Sequence, residues 1–256
     1  MALATRIIPI LLHRDGCLVK GIKFNSWRTS GHALQAARIH QARGVDEMLV
    51  LDVAATPLER WTDIALIEHI TAGCFMPVTA GGGVRNIDDV KRLLRAGADK
   101  VAIHTAIYTQ PGIIRTCANA LGSQAIVAVI ETMTHKVRFP GCDWTTLDPV
   151  DQAIYIEHSG AGEILLMSVD NDGTLEGYDL PVLERVARAV EIPVIAAGGA
   201  GTYQHMHQAI NVGASAVAAG AMFQWTEHTP LGAAKYLREH GVEVRIPEER
   251  CQPSHP

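Results

Sequence analysis

Hydrophobic residues in this chain fall in eight short continuous runs, at 7–12, 48–53, 78–80, 101–105, 126–130, 164–169, 194–197 and 216–219. Between and after them lie amphipathic patterns of helical period, beginning near His32, Trp61, Ile87, Gly112, Val150, Pro181, Tyr203 and Leu231. Most close on glycine, as in A-R-G-V-D-E, R-A-G-A-D-K and S-G-A-G-E, the residue best suited to ending a helix. Runs that do not alternate predict strands buried on both faces, the condition of a parallel sheet, and the intervening helices supply the crossovers. Eight such units predict a single α/β domain over 1–246, a (βα)8 barrel, followed by a flexible tail over 247–256. An open doubly wound sheet is the runner-up.

Two stretches favour the barrel. From Pro77 the chain reads P-V-T-A-G-G-G-V-R and from Pro193 it reads P-V-I-A-A-G-G-A-G, each continuing through a helix and a Gly-Ala to a second apolar run. Gly198 follows Gly81 by 117 positions and Asp170 follows Asp52 by 118, so two landmarks give nearly one offset. That spacing predicts an internal two-fold duplication of half-barrels. Glycines where a strand turns into a helix let backbone N–H groups approach an anion. Gly82 and Gly83 in the first half, and Gly199 and Gly201 with Gly220 and Ala221 in the second, are therefore candidate phosphate-binding positions. The competing reading is that these glycines only allow tight helix–strand packing.

Composition narrows the function. The chain has 256 residues, 48% of them apolar, with 22 basic against 27 acidic side chains, which leaves no basic footprint for nucleic acid and no polybasic membrane arm. Cys17, Cys74, Cys117, Cys142 and Cys251 are odd in number and form no C-x-x-C pair, so they read as free thiols in a reducing compartment. No continuous apolar span is long enough for a membrane, and a cytoplasmic protein without metal or cofactor is expected.

In a barrel, chemistry belongs at the C-terminal ends of the strands. The first such end carries His13, Asp15 and Lys20, the fifth carries Glu131, and Asp52, Asp170 and Asp172 follow the second and sixth. Each has a plainer reading as a solvated loop charge or, for a short Asp, a turn stabiliser. At the opposite end, Arg6, Glu47, Lys100 and Glu163 stand immediately before runs one, two, four and six. Two positive and two negative groups at strand entries could close the barrel bottom as a neutral ring of salt bridges.

The motifs R-I-I-P, L-V-K-G, D-E-M-L-V-L-D-V-A-A, T-A-G-G-G-V-R, R-A-G-A-D-K-V-A-I-H-T-A, G-A-G-E-I-L-L-M-S-V-D-N-D-G-T-L-E-G-Y-D and I-P-V-I-A-A-G-G-A-G span most of the chain. Together they resemble the cyclase subunit of imidazole-glycerol-phosphate synthase. The resemblance implies a barrel that receives ammonia from a glutaminase subunit docked at its N-terminal face and uses it at the other face on a bis-phosphorylated substrate. It implies that Arg6, Glu47, Lys100 and Glu163 gate the ammonia channel, that Asp99 and Gln124 contact the glutaminase, and that Lys20, Asp172 and Glu131 serve catalysis. It implies further that Asp52, His104 and Thr105 join the glycines in binding a phosphorylated or otherwise anionic ligand.

Departures from the family pattern cluster at the mouth. Leu12 stands where the family has its first catalytic aspartate, Glu131 where it has the second, Met167 where it has threonine and His104 where it has asparagine. Arg6–Leu12 and the C-F-M-P before the first glycine turn are similar to a sibling branch associated with amidation of bacterial surface sugars, which works with a glutaminase and a separate sugar amidotransferase. Delivery of ammonia in such a system is the first expectation. A genuine histidine-pathway cyclase is the second, and an inert glutaminase-binding scaffold the third.

Overall fold

A computed structural model describes residues 4–139 and 146–246; the expected tail over 247–256 lies outside the described residues. Among the described residues, eleven strands and ten α-helices follow in order. The strands are β1 (Arg6–Arg14), β2 (Cys17–Ile22), β3 (Asn25–His32), β4 (Met48–Asp52), β5 (Val78–Gly81), β6 (Lys100–Ile103), β7 (Ile126–Met133), β8 (Lys136–Val137), β9 (Glu163–Ser168), β10 (Val194–Ala197) and β11 (Ala216–Ala219). The helices are α1 (Ala33–Ala42), α2 (Ile64–Gly73), α3 (Ile87–Arg95), α4 (Thr105–Thr109), α5 (Ile113–Leu121), α6 (Pro149–His158), α7 (Leu180–Ala189), α8 (Tyr203–Asn211), α9 (Ala221–Trp225) and α10 (Pro230–Glu239).

Strands β1, β4, β5, β6, β7, β9, β10 and β11 pair in parallel in that order, and β11 returns to β1 through Arg6↔Ala216 to Pro9↔Ala219. This is a closed eight-stranded parallel barrel wrapped by helices, a TIM barrel, as the alternation of apolar runs predicts.

Strand alternation divides the core in two. Ile8, Ile10, Leu12, Leu49, Val127, Val129, Leu165, Met167, Ile195 and Ala218 fill the barrel interior, while their chain neighbours, such as Leu11, Val50, Ala128 and Leu166, pack outward against the helices. By the same alternation Arg6, Glu47, Lys100, Glu163 and Glu131 face inward. His13 and Asp52 face outward, under the loop that follows β4.

Three features depart from the sequence reading. The segment after β1 is not a loop but a three-stranded antiparallel extension, with β1 paired to β2 and β2 to β3. Its turns fall at Asp15–Gly16 and Lys23–Phe24, all four residues having positive φ. A shorter hairpin joins β7 to β8 through Thr134–His135. The helix expected from Trp61 begins at Ile64, because Asp63 accepts the Leu66 amide at 3.0 Å and caps it there.

Four pairs of elements share one spacing along the chain. Subtracting first residues, β5 to β10, α3 to α8, β6 to β11 and α4 to α9 are each 116 apart. At that spacing Gly198 and Gly199 take the places of Gly82 and Gly83. Ser168, the last residue of β9, takes the place of Asp52, so Asp170 lies two residues further on, in the loop, and is not its counterpart.

Candidate functional site

The C-terminal ends of β1, β4, β5, β6, β7 and β9 enclose a cavity of about 350 Å³. Its floor is apolar: Leu12, Leu51, Ala102, Val129 and Met167. The hairpin of β2 and β3 supplies a wall of Phe24 and Trp27, whose ring centroids lie 6.4 Å apart, and the Arg138 guanidinium sits 5.8 Å from the Phe24 centroid. Of the expected site residues, Asp52, Gly82, Gly83, His104, Thr105 and Glu131 line this space. The residues that sequence reasoning missed are Arg14, Phe24, Trp27 and Arg138. The aromatic pair became visible only once the hairpin folded back over the mouth.

Glu131 is held from one side. Arg138 donates to its Oε2 at 2.6 Å, and His104 Nδ1 stands 3.5 Å from its Oε1. Burial lowers the His104 pKa, and the Glu131 carboxylate opposes that shift only in part. Asp52 organises the loop after β4: its Oδ1 accepts the Ala54 and Ala55 amides at 3.0 and 3.1 Å, while Arg60 reaches its Oδ2 at 2.7 Å and Asp15 at 3.1 Å. Gly82 and Gly83 both have positive φ, and an added Cβ would strike the Asp52 carbonyl at the first and meet Ala55 and Arg60 at 2.8 Å at the second. Their conformation thus serves packing against the β4 loop as well as exposing the cavity wall.

The second candidate anion site lies at the turn after β10. A Cβ on Gly199 would collide with the Gly177 carbonyl, and one on Gly201 with that of Leu175, so the loop between β9 and α7 lies directly on this turn. Gly199, Gly201, Gly220 and Ala221 lie outside the residues lining the cavity. Lys20, on β2, is also sealed away: its Nζ meets Asp172 Oδ1 at 2.6 Å, with 3% and 7% of the two side chains exposed. Burial raises the Asp172 pKa against the pull of Lys20. Asp170 accepts the Thr134 amide at 2.6 Å and fixes the β7–β8 turn. His13 is fully buried beneath the β4 loop, away from the cavity, and burial lowers its pKa against the nearby Asp52 and Asp63.

At the N-terminal end of the barrel, the four charges expected there meet in a closed ring. Arg6 Nη1 lies 2.7 Å from Glu47 and 3.0 Å from Glu163, and Lys100 Nζ lies 3.0 Å from each of them. Thr79, an unforeseen member, donates to Glu47 Oε1 at 2.8 Å. Burial works against the Arg6 charge, but the Glu163 and Glu47 carboxylates outweigh it and hold the guanidinium above its ordinary value. Asp99 is exposed on this end and accepts the Val78 amide at 2.8 Å, and Gln124 is exposed in a turn of 3-10 helix over Ser123–Ala125. Among the described residues no group of His, Cys, Asp and Glu is placed to hold a metal ion, and no helix is long and apolar enough to cross a membrane.

A parallel barrel with a polar-rimmed cavity at its strand C-termini is the architecture of barrel enzymes. The chain belongs to one such family, described as histidine biosynthesis protein, whose model matches residues 6–229. That is an enzymatic barrel family of histidine biosynthesis.

Proposed function

We propose that this chain is the barrel subunit of a glutamine-dependent amidotransferase. A glutaminase docked over the N-terminal face releases ammonia, which passes the ring of Arg6, Glu47, Lys100 and Glu163 and crosses the barrel to the mouth cavity. The observation that carries this reading is the ring and what lies above it. Two residues on from Arg6, Glu47, Lys100 and Glu163 come Ile8, Leu49, Ala102 and Leu165, all facing inward. A charged ammonium ion is excluded from such an apolar layer by its desolvation cost, whereas neutral ammonia is small and uncharged. Asp99 and Gln124 are the proposed glutaminase contacts.

The proposed end use is amidation of a bacterial surface sugar in the cytoplasm, together with a separate sugar amidotransferase. Leu12 at the position of the family's first catalytic aspartate supports this over the ordinary cyclase reaction. Family membership keeps the histidine-pathway cyclase as the second reading, and an inert glutaminase-binding scaffold is the third. We also infer from the 116-residue spacing of elements that the barrel arose by duplication of a half-barrel.

The test uses glutamine labelled with ¹⁵N at the amide, a cognate glutaminase and excess unlabelled ammonium in bulk. Enrichment of the product in ¹⁵N beyond the bulk pool is expected. A product carrying only the bulk isotope ratio would overturn channelling, and a barrel that binds no glutaminase would overturn the reading as a whole.

A further inference from the structure

We infer that Arg14 and Trp27 form a subsite in the mouth cavity for a small molecule that carries one anionic group on a flat, apolar ring, with Arg14 meeting the anion and Trp27 the face of the ring. The inference rests on the reading of this cavity as the place where an anionic ligand binds, and names the class of that ligand.

Charge sets the number of anionic groups. Four lining residues carry full charges, Arg14, Asp52, Glu131 and Arg138. Arg138 is matched to Glu131 at 2.6 Å, and Asp52 to Arg60 at 2.7 Å. Arg14, the last residue of β1, is the charge left over: it is exposed and has no ion pair or hydrogen-bond partner among the described residues. Asp15 beside it lies outside the lining, is turned to Arg60 at 3.1 Å and has 71% of its side chain exposed, so water screens it. An unmatched guanidinium over an apolar floor attracts a single phosphate or carboxylate, which its planar fork holds through paired hydrogen bonds. A second anionic group would find no second unmatched cation, and the turn at Gly199 and Gly201 lies outside the lining.

The floor and wall set the body of the ligand. Leu12, Leu51, Val129 and Met167 present no strong hydrogen-bonding group, so a polyhydroxylated sugar would lose water there without replacement. A flat apolar ring loses nothing by the exchange. Trp27 is placed by an irregularity in the β2–β3 pairing, where Lys20 faces Arg28 and Ile22 faces Asn25. Its ring lies against Gly21, where a Cβ would come within 3.3 Å of it. Phe24 flanks it at 6.4 Å and carries the Arg138 guanidinium, so the half-buried indole is the aromatic surface left for a ligand. At about 350 Å³ the cavity is near the lower end of the ~300–1,000 Å³ range of ligand sites, which suits one ring and one anionic group.

The experiment is calorimetric titration of the full-length chain with phenyl phosphate and with benzoate, alongside inorganic phosphate, benzyl alcohol and fructose 1,6-bisphosphate. The indole ¹H–¹⁵N signal of Trp27, assigned by its loss in Trp27→Phe, reports where each probe sits. At least one of the two ring anions is expected to bind about tenfold or more tightly than inorganic phosphate, the neutral ring or the bis-phosphate, and to shift the Trp27 signal. Which of the two is tighter tells a phosphomonoester site from a carboxylate site. Arg14→Gln should weaken that probe about tenfold or more and Arg14→Lys should recover part of the loss. Trp27→Ala should weaken it about three- to tenfold while Trp27→Phe keeps most of the affinity. Arg14 has no partner to lose, and circular dichroism checks that each variant is folded. Failure of both ring anions to bind at millimolar concentration, a bis-phosphate or inorganic phosphate bound as tightly, or affinity unmoved in Arg14→Gln or Trp27→Ala would overturn the subsite. Binding is read without glutaminase or glutamine, so the two readings fail separately. Channelled ¹⁵N in a chain that binds neither ring anion would sink the subsite alone, whereas ring-anion binding in a chain that transfers no glutamine nitrogen would sink the proposed function alone.

Discussion

Lys20 and Asp172, 152 positions apart, form a buried ion pair at 2.6 Å that fastens the β2–β3 hairpin to the loop after β9. Two further contacts join the same segments: the Lys23 amide donates to the Asp172 carbonyl at 2.8 Å, and Gly173 lies against the Gly21 carbonyl. The pair therefore acts as a latch on one side of the mouth. Lys20→Met would strand a carboxylate whose Oδ2 already lacks a partner among the described residues. Removing one member of a buried pair costs about 3–5 kcal/mol, so Lys20→Met should be destabilised by that order at neutral pH.

The pH dependence has a definite sign. Burial raises Asp172 above its ordinary value, so the native state takes up a proton more readily than the unfolded chain, and stability falls as pH rises between the two midpoints. Without Lys20 the native midpoint moves higher still, and the deficit of Lys20→Met should shrink as pH is lowered through it. Denaturant titrations at pH 5 and 7.5 read this directly; an equal deficit at both would contradict the latch as a charge pair. The double variant Lys20→Met/Asp172→Leu should recover most of the loss.

Leu12 governs the second expectation. It is 4% exposed, paired with Leu51 across β1 and β4, and part of the apolar floor. A hydrocarbon side chain cannot exchange a proton, and general acid–base catalysis typically contributes about 10² to 10⁴-fold. Turnover of the histidine-pathway substrate, with ammonia or a competent glutaminase, should therefore fall below about 1% of an ordinary cyclase. Leu12→Asp alone should not restore it, because Met167 and His104 differ as well and the new carboxylate would enter an apolar floor. Cyclase activity at an ordinary level would overturn this.

Anion binding should be lopsided. Gly82, Gly83 and Thr105 open on the cavity, whereas the turn at Gly198–Gly201 is covered by the loop carrying Leu175 and Gly177. Crystals soaked in phosphate should show density beside Gly82 and Gly83 and none on Gly199 and Gly201 while the Lys20–Asp172 pair stays closed. Equal occupancy of both turns would show that the covering loop moves aside. Empty turns at high phosphate would leave the glycines with packing alone.

The barrel was legible because eight unalternating apolar runs and their glycine-closed helices are local signals that the closed sheet reinforces. The ring was legible for a related reason: Arg6, Glu47, Lys100 and Glu163 each precede an apolar run, and strand parity alone turns them inward. The hairpin over the mouth was half visible, since Asp15–Gly16 is a turn signal that favours two residues of positive φ. Lys23–Phe24 adopts the same backbone without either residue favouring it, so nothing local marks β3. That strand is almost wholly exposed and shows no apolar alternation. Arg138 and Thr79 escaped notice because their importance comes from partners brought near only by the fold, Glu131 and Glu47.

Lys100 offers the sharpest test of the ring. Its Nζ contacts Glu47 at 3.0 Å and Glu163 at 3.0 Å, and Arg6 contacts the same two carboxylates from the other side. In Lys100→Ala, Glu47 keeps Arg6 and Thr79 as donors, and Glu163 keeps Arg6. Neither carboxylate is left alone, so the cost should be about 1–3 kcal/mol, the range for losing one charge-assisted hydrogen bond partner, and the fold should survive. What changes is closure. With the lysine gone the ring has an open quadrant above the inward-facing Ala102, and bulk water gains access to the entrance of the proposed channel. Glutamine hydrolysis by a bound glutaminase should continue while the ¹⁵N enrichment of the product falls at least several-fold towards the bulk ratio. The comparison needs a wild-type signal, circular dichroism to show the variant folded, and glutamate release as the measure of hydrolysis. If Lys100→Ala delivers glutamine-derived ammonia as efficiently as the wild type, the four residues are a stability cluster at the barrel floor and the gate must be sought elsewhere.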